Sequence, residues 1–130
     1  PNSGELTYAR AGHPYPLITS GSGAPVQGIK QPGQPLGLFE RPLLDVQHLT
    51  LEPGGVALLY SDGLSEAENA QGEFYDDQRV IGMMTEPTQN AQDLCQRIWD
   101  DVKTFTGDAQ QHDDFTVVAI KRWPAERKAI

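Results

Sequence analysis

The chain has little cysteine, little positive charge and no long apolar run. Cys95 is its one cysteine, so an internal disulfide is excluded. It lies in a helical pattern and is expected to be a small core residue. No basic residue adjoins it directly in sequence, which argues against a nucleophilic thiol. Ten lysines and arginines stand against eighteen aspartates and glutamates, for a formal charge of -8. That balance argues against nucleic acid as a partner. No stretch approaches the roughly 20 apolar residues that cross a bilayer, so no membrane segment is expected. Pro1–Tyr8 has neither the basic start nor the apolar segment of a signal peptide, and a cytoplasmic location is the default expectation.

At 130 residues, 38% hydrophobic and 22% charged, the chain has the size and make-up of one globular domain. Charge is uneven. Lys121, Arg122, Arg127 and Lys128 crowd the C-terminal end, while acids concentrate between Asp62 and Asp114. Alternation predicts strands over 6–11 and 45–51, and extended structure over 15–19. Ser20–Gly23 reads as a turn and 31–38 as a loop rich in proline and glycine. Val56–Tyr60 is almost wholly apolar, as expected of a central strand covered on both faces. Loop follows from Glu66 to Glu73, then a short helix over 77–84. The clearest helix runs over 90–105, with Ala91, Leu94, Ile98 and Val102 on one stripe. Asn90 is its expected cap and Gly107 its stop. Phe115–Ile120 is a last strand. The order, strands then helices then a strand, predicts an α+β fold. Residues 1–122 form the expected domain, with a tail over 123–130 that is frayed or linker from Pro124.

Two acids carry most of the chemistry. Asp62, in Tyr60-Ser61-Asp62-Gly63, follows the most apolar strand, and Gly63 permits a tight turn that would aim it. Asp113, with Asp114 beside it, precedes the last strand. Each alone also reads as an ordinary turn. If the two strands are neighbours, the carboxylates come within a few ångströms of each other. Two carboxylates suffice for one hard divalent cation. His13 and His112 read as turn and loop histidines, His112 beside the acids; His48 reads as structural or exposed. No Ser-His-Asp arrangement and no glycine-rich phosphate loop is evident.

Taken in order, these segments form a pattern. Ala11-Gly12-His13-Pro14-Tyr15-Pro16 resembles the "Ala-Gly-His-x-x-Pro" segment of the SpoIIE-type branch of metal-dependent (PPM, type 2C-like) serine/threonine phosphatases. Pro35-Leu36-Gly37 is similar to its "Pro-Leu-Gly" loop. Leu51–Ala67 resembles its signature "Leu-x-Pro-Gly-Asp-x-Leu-Leu-Tyr-Ser/Thr-Asp-Gly-Leu/Val-Thr-Glu-Ala", with Gly55 in place of the family's aspartate. Gly72-Glu73-Phe74-Tyr75 and Asp113-Asp114-Phe115 complete the match, which spans about Leu6 to Arg122.

The resemblance implies an antiparallel β-sandwich flanked by helices, with Mn²⁺ or Mg²⁺ between the sheets. It implies Asp62 and Asp113 as ligands of one metal, with Gly63, Asp114 and His112 as their neighbours. It also implies hydrolysis by metal-activated water, without a protein nucleophile. The implied substrate is a phosphorylated regulatory protein of the anti-sigma-factor-antagonist type, in bacterial signalling. The family's "Gly-Gly-Asp-x-x-Asp" segment has no counterpart before Leu6. The resemblance is therefore to the C-terminal part of the domain, incomplete at its N-terminus. Such a segment is expected to bind metal weakly, to be inactive alone and to self-associate through exposed sheet edges. The alternative is a non-catalytic module that keeps the fold to bind a partner.

Overall fold

The computed structural model describes residues 3–20, 25–27 and 31–124. Most of the turn expected at Ser20–Gly23 and of the tail expected from Pro124 lies outside the described residues. Among the described residues six strands and three helices follow one another: β1 (Glu5–Arg10), β2 (Leu17–Thr19), β3 (Val26–Gln27), β4 (Asp45–Thr50), β5 (Val56–Tyr60), α1 (Asp62–Ser65), α2 (Asp76–Thr85), α3 (Ala91–Thr106) and β6 (Val117–Lys121).

The strands form two antiparallel sheets. One pairs β1 with β4; the other runs β3-β2-β5-β6. The apolar run Val56–Tyr60 is therefore an inner strand, buried along almost its whole length. Its even members, Val56, Leu58 and Tyr60, pack with Leu64, Tyr75, Val80, Leu94, Ile98 and Val102 into one core between sheet and helices. Burial of such side chains is the main favourable term in folding. The stripe on α3 faces this core as expected, with Leu94, Ile98 and Val102 buried. Asn90 caps that helix, its Oδ1 accepting from the Asp93 amide at 2.8 Å, and Gly107 ends it at φ 54°.

Three expectations shift. Tyr15 and Pro16 stand outside β2, since proline gives a sheet no N–H. The turn after Tyr60 is instead the short helix α1, held down by buried Leu64. Cys95 is only partly buried, at the margin of the core rather than within it. The two-residue strand β3 is too short to leave a periodic signal. No helix among the described residues is long and apolar enough to cross a membrane.

Candidate functional site

Strand pairing decides whether the two acids meet. β5 and β6 are antiparallel partners, in a register that ends at Tyr60 opposite Val117. The ladder then runs one step further. The Ser61 amide donates to the Thr116 carbonyl at 3.0 Å, and Ser61 Oγ accepts from the Thr116 amide at 2.9 Å. Ser61 is thus spent on joining the strands and does not cap α1. Past it, Gly63 lies against the backbone of Asp114. A Cβ at Gly63 would collide with the Asp114 carbonyl oxygen. The close approach, not a positive φ, is what requires glycine there.

The end of β5 and the entry to β6 are therefore fixed against each other; Asp62 follows the first, at the start of α1, and Asp113 and Asp114 lie in the loop before the second. Both Asp62 and Asp113 are exposed. Asp62 has no side-chain hydrogen bond among the described residues, while its carbonyl accepts from the Glu66 amide and Ser65 Oγ. Asp113 Oδ1 accepts from the Asp114 amide at 2.8 Å, which orients its carboxylate. Gln111 braces the same loop, donating to the Asp113 carbonyl and Asp114 Oδ1. Exposed His112 completes the approach to β6.

This donor set suits part of a hard-cation site. Carboxylate oxygens are the ligands Mn²⁺ and Mg²⁺ prefer, and one or two can hold an ion that keeps several waters. Among the described residues, no group of three or more His, Cys, Asp or Glu side chains is placed to hold a metal. As residue types the two carboxylates suit such an ion, and no third ligand is grouped with them among the described residues.

The remaining singled-out residues lie elsewhere. His13 lines a gap of about 190 Å³ between the sheets, with Tyr8, Arg10, Leu59 and Val118. Its carbonyl, not its ring, takes a hydrogen bond from Arg10. His48 pairs with Thr7 across β1 and β4, Nδ1 to Oγ1 at 2.9 Å.

Sequence reading missed three polar anchors. Arg10 Nε meets buried Asp45 at 3.0 Å. The hydrogen bond from Gln47 holds the Asp45 carboxyl below the usual carboxylate range, with Arg10 adding to it against the opposing pull of burial. Tyr60 donates to Asp77 at 2.8 Å and Tyr75 to Asp101. Burial, reinforced by these carboxylates, pushes both phenols well above their ordinary value. These tyrosines tie β5 to α2, and the α1–α2 connection to α3. The only signal in sequence is at Tyr60, which ends an apolar run.

The comparisons with known proteins follow the same outline. A family model described as Stage II sporulation protein E (SpoIIE) matches residues 1–123. Phosphoserine phosphatase RsbU of Bacillus subtilis (strain 168) is 31% identical over 123 residues, covering 91% of this chain and 35% of that protein. The structure of the RsbU and RsbW domains of Rv1364c from Mycobacterium tuberculosis superposes with a TM-score of 0.74 at 26% identity, covering 95% of this chain and 35% of that one. The manganese-presoaked phosphatase domain of SpoIIE from Bacillus subtilis gives a TM-score of 0.70 at 18% identity, covering 96% of this chain and 54% of that one. The chain thus spans about a third of RsbU and about half of that phosphatase domain.

Proposed function

Because the chain belongs to the SpoIIE family of PP2C-type phosphatase domains, we propose that it is the C-terminal part of a metal-dependent protein serine/threonine phosphatase. The observation that supports this reading is the β5–β6 junction, where Ser61 bonds to Thr116 and Gly63 abuts Asp114, with Asp62 at the start of α1 and Asp113 in the loop before β6. In this reading the two carboxylates hold one face of a divalent cation. Asp114 and Gly63 set the backbone spacing, Ser61 locks the strand ends, and His112 stands by the approach. When bound, Mn²⁺ or Mg²⁺ supplies positive charge against the phosphoryl oxygens and makes water a better nucleophile at neutral pH. The chain's own acids cannot bind a phosphate unaided, since a body of charge -8 repels it.

The likeness to RsbU, a phosphoserine phosphatase by name, supports phosphoserine as the substrate group. An anti-sigma-factor antagonist is the partner type we propose. The 130 residues alone are proposed to be inactive, because two carboxylates leave most of the coordination sphere to groups outside them. A longer chain that adds the preceding part of the domain should hydrolyse a phosphoserine peptide with Mn²⁺. Asp62→Asn or Asp113→Asn in it should lower kcat/KM by about a hundredfold or more, on the scale of losing one charged stabilising group. Full activity in either variant would refute the assignment. A non-catalytic partner-binding module is the second reading, favoured by the lack of a third grouped ligand among the described residues. Metal-independent partner binding by the longer chain, with no turnover, would select it.

A further inference from the structure

A cavity of about 160 Å³ adjoins the Asp62–Asp113 junction, between the start of the α1–α2 connection, the C-terminal half of α3 and the loop leading to β6. Gly63 and Asp113 line it, so it opens beside the proposed cation position. Its floor is apolar. Trp99 and Phe115 meet at a tilt of 43° with ring centroids 5.4 Å apart, and Val102 and Ala67 also line the cavity. Trp99 is 47% exposed, a large aromatic surface left in water. At its rim stand Glu66 and Glu68, whose carboxylates have no hydrogen bond or ion pair among the described residues. Lys103 supplies a resident cation, its Nζ 5.1 Å from the centre of the Trp99 ring.

We propose that this cavity takes an arginine or lysine side chain of the phosphorylated segment, close in sequence to the phosphoresidue. The inference rests on the phosphatase reading for the identity of that segment, but not for the binding itself. A long basic side chain matches both halves of the cavity. Its aliphatic stem covers the apolar floor, and its cationic head meets the unpaired carboxylates and an indole face. A purely apolar guest would strip water from Glu66 and Glu68 and give nothing back. A phosphate or acidic side chain would be repelled by them. Lys103 shows that the indole accepts a cation, and it competes for that face.

The binding test uses this chain with Trp123→Phe, so that Trp99 fluorescence reports alone. It is titrated at low salt with an unphosphorylated peptide carrying one arginine, and with the same peptide carrying alanine instead. The arginine peptide should bind about tenfold tighter, as expected of a ring contact and two partly exposed charge pairs together. Glu66→Gln with Glu68→Gln should abolish that difference, and Lys103→Met should tighten arginine binding. Equal binding of the two peptides, or weaker arginine binding after Lys103→Met, would overturn the proposal. In the longer chain with Mn²⁺, the same arginine should raise kcat/KM on phosphopeptides about tenfold, and the double glutamine variant should cancel this while leaving p-nitrophenyl phosphate turnover unchanged. A kinetic preference that survives the double variant also counts against the subsite. No turnover of p-nitrophenyl phosphate by the longer chain would overturn the phosphatase reading, while the fluorescence result still decides the cavity.

Discussion

Single residues set the spacing at the junction. Gly63 has no room for a methyl group against the Asp114 carbonyl. Gly63→Ala should cost about 1–3 kcal/mol in urea unfolding, as overpacking does. A change under about 0.5 kcal/mol, the usual effect of a surface substitution, would mean the approach is not tight. Asp45 gives a prediction in pH. Its folded carboxyl titrates below the ordinary value, so the deprotonated form is favoured by folding. That contribution is complete above about pH 4, the ordinary carboxylate value, and is lost as pH falls through the lowered folded one. Asp45→Asn should lower Tm at pH 7, with the gap from the parent closing in acid. A gap constant from neutral to strongly acid pH would contradict this. Neither residue's role can be read locally. Asp62-Gly63 looks like any turn, and Asp45 only finds Arg10 once β1 and β4 pair.

Elements were the most legible level where periodicity was long. The 16 residues of α3 carry a full stripe, a cap and a stop, and each sits where the pattern puts it. Short elements escaped: α1 has four residues and β3 two, less than one period of contrast. The α3 stripe and cap should differ in weight. Ile98→Ala, in the core, should destabilise by about 2–5 kcal/mol. Asn90→Ala should cost about 1 kcal/mol. Equal losses in chemical unfolding would mean that α3 is not held mainly by its buried face. The cavity beneath Trp99 was invisible in sequence, because its walls come from three segments that only the β6 crossover brings together.

At the scale of the whole molecule, the antiparallel sheets and the helices follow the fold that the family resemblance implies, and some apolar surface is left uncovered. On β6, Val118 and Ile120 face away from the helices, 48% and 37% exposed. Leu36, Leu38 and Phe39 are exposed on the loop before β4. An edge strand that carries exposed apolar side chains invites pairing with another copy. Light scattering should show mass rising with concentration, and Val118→Lys should reverse it; a monomer at every concentration would count against this. In the proposed reading Asp62 and Asp113 hold one divalent cation between them. Mn²⁺ added to the isotope-labelled chain tests it without requiring turnover, through paramagnetic broadening of amide signals. Broadening should centre on residues 61–64 and 112–114, and vanish in both Asp62→Asn and Asp113→Asn. Broadening centred elsewhere, or unchanged in those variants, would contradict the account.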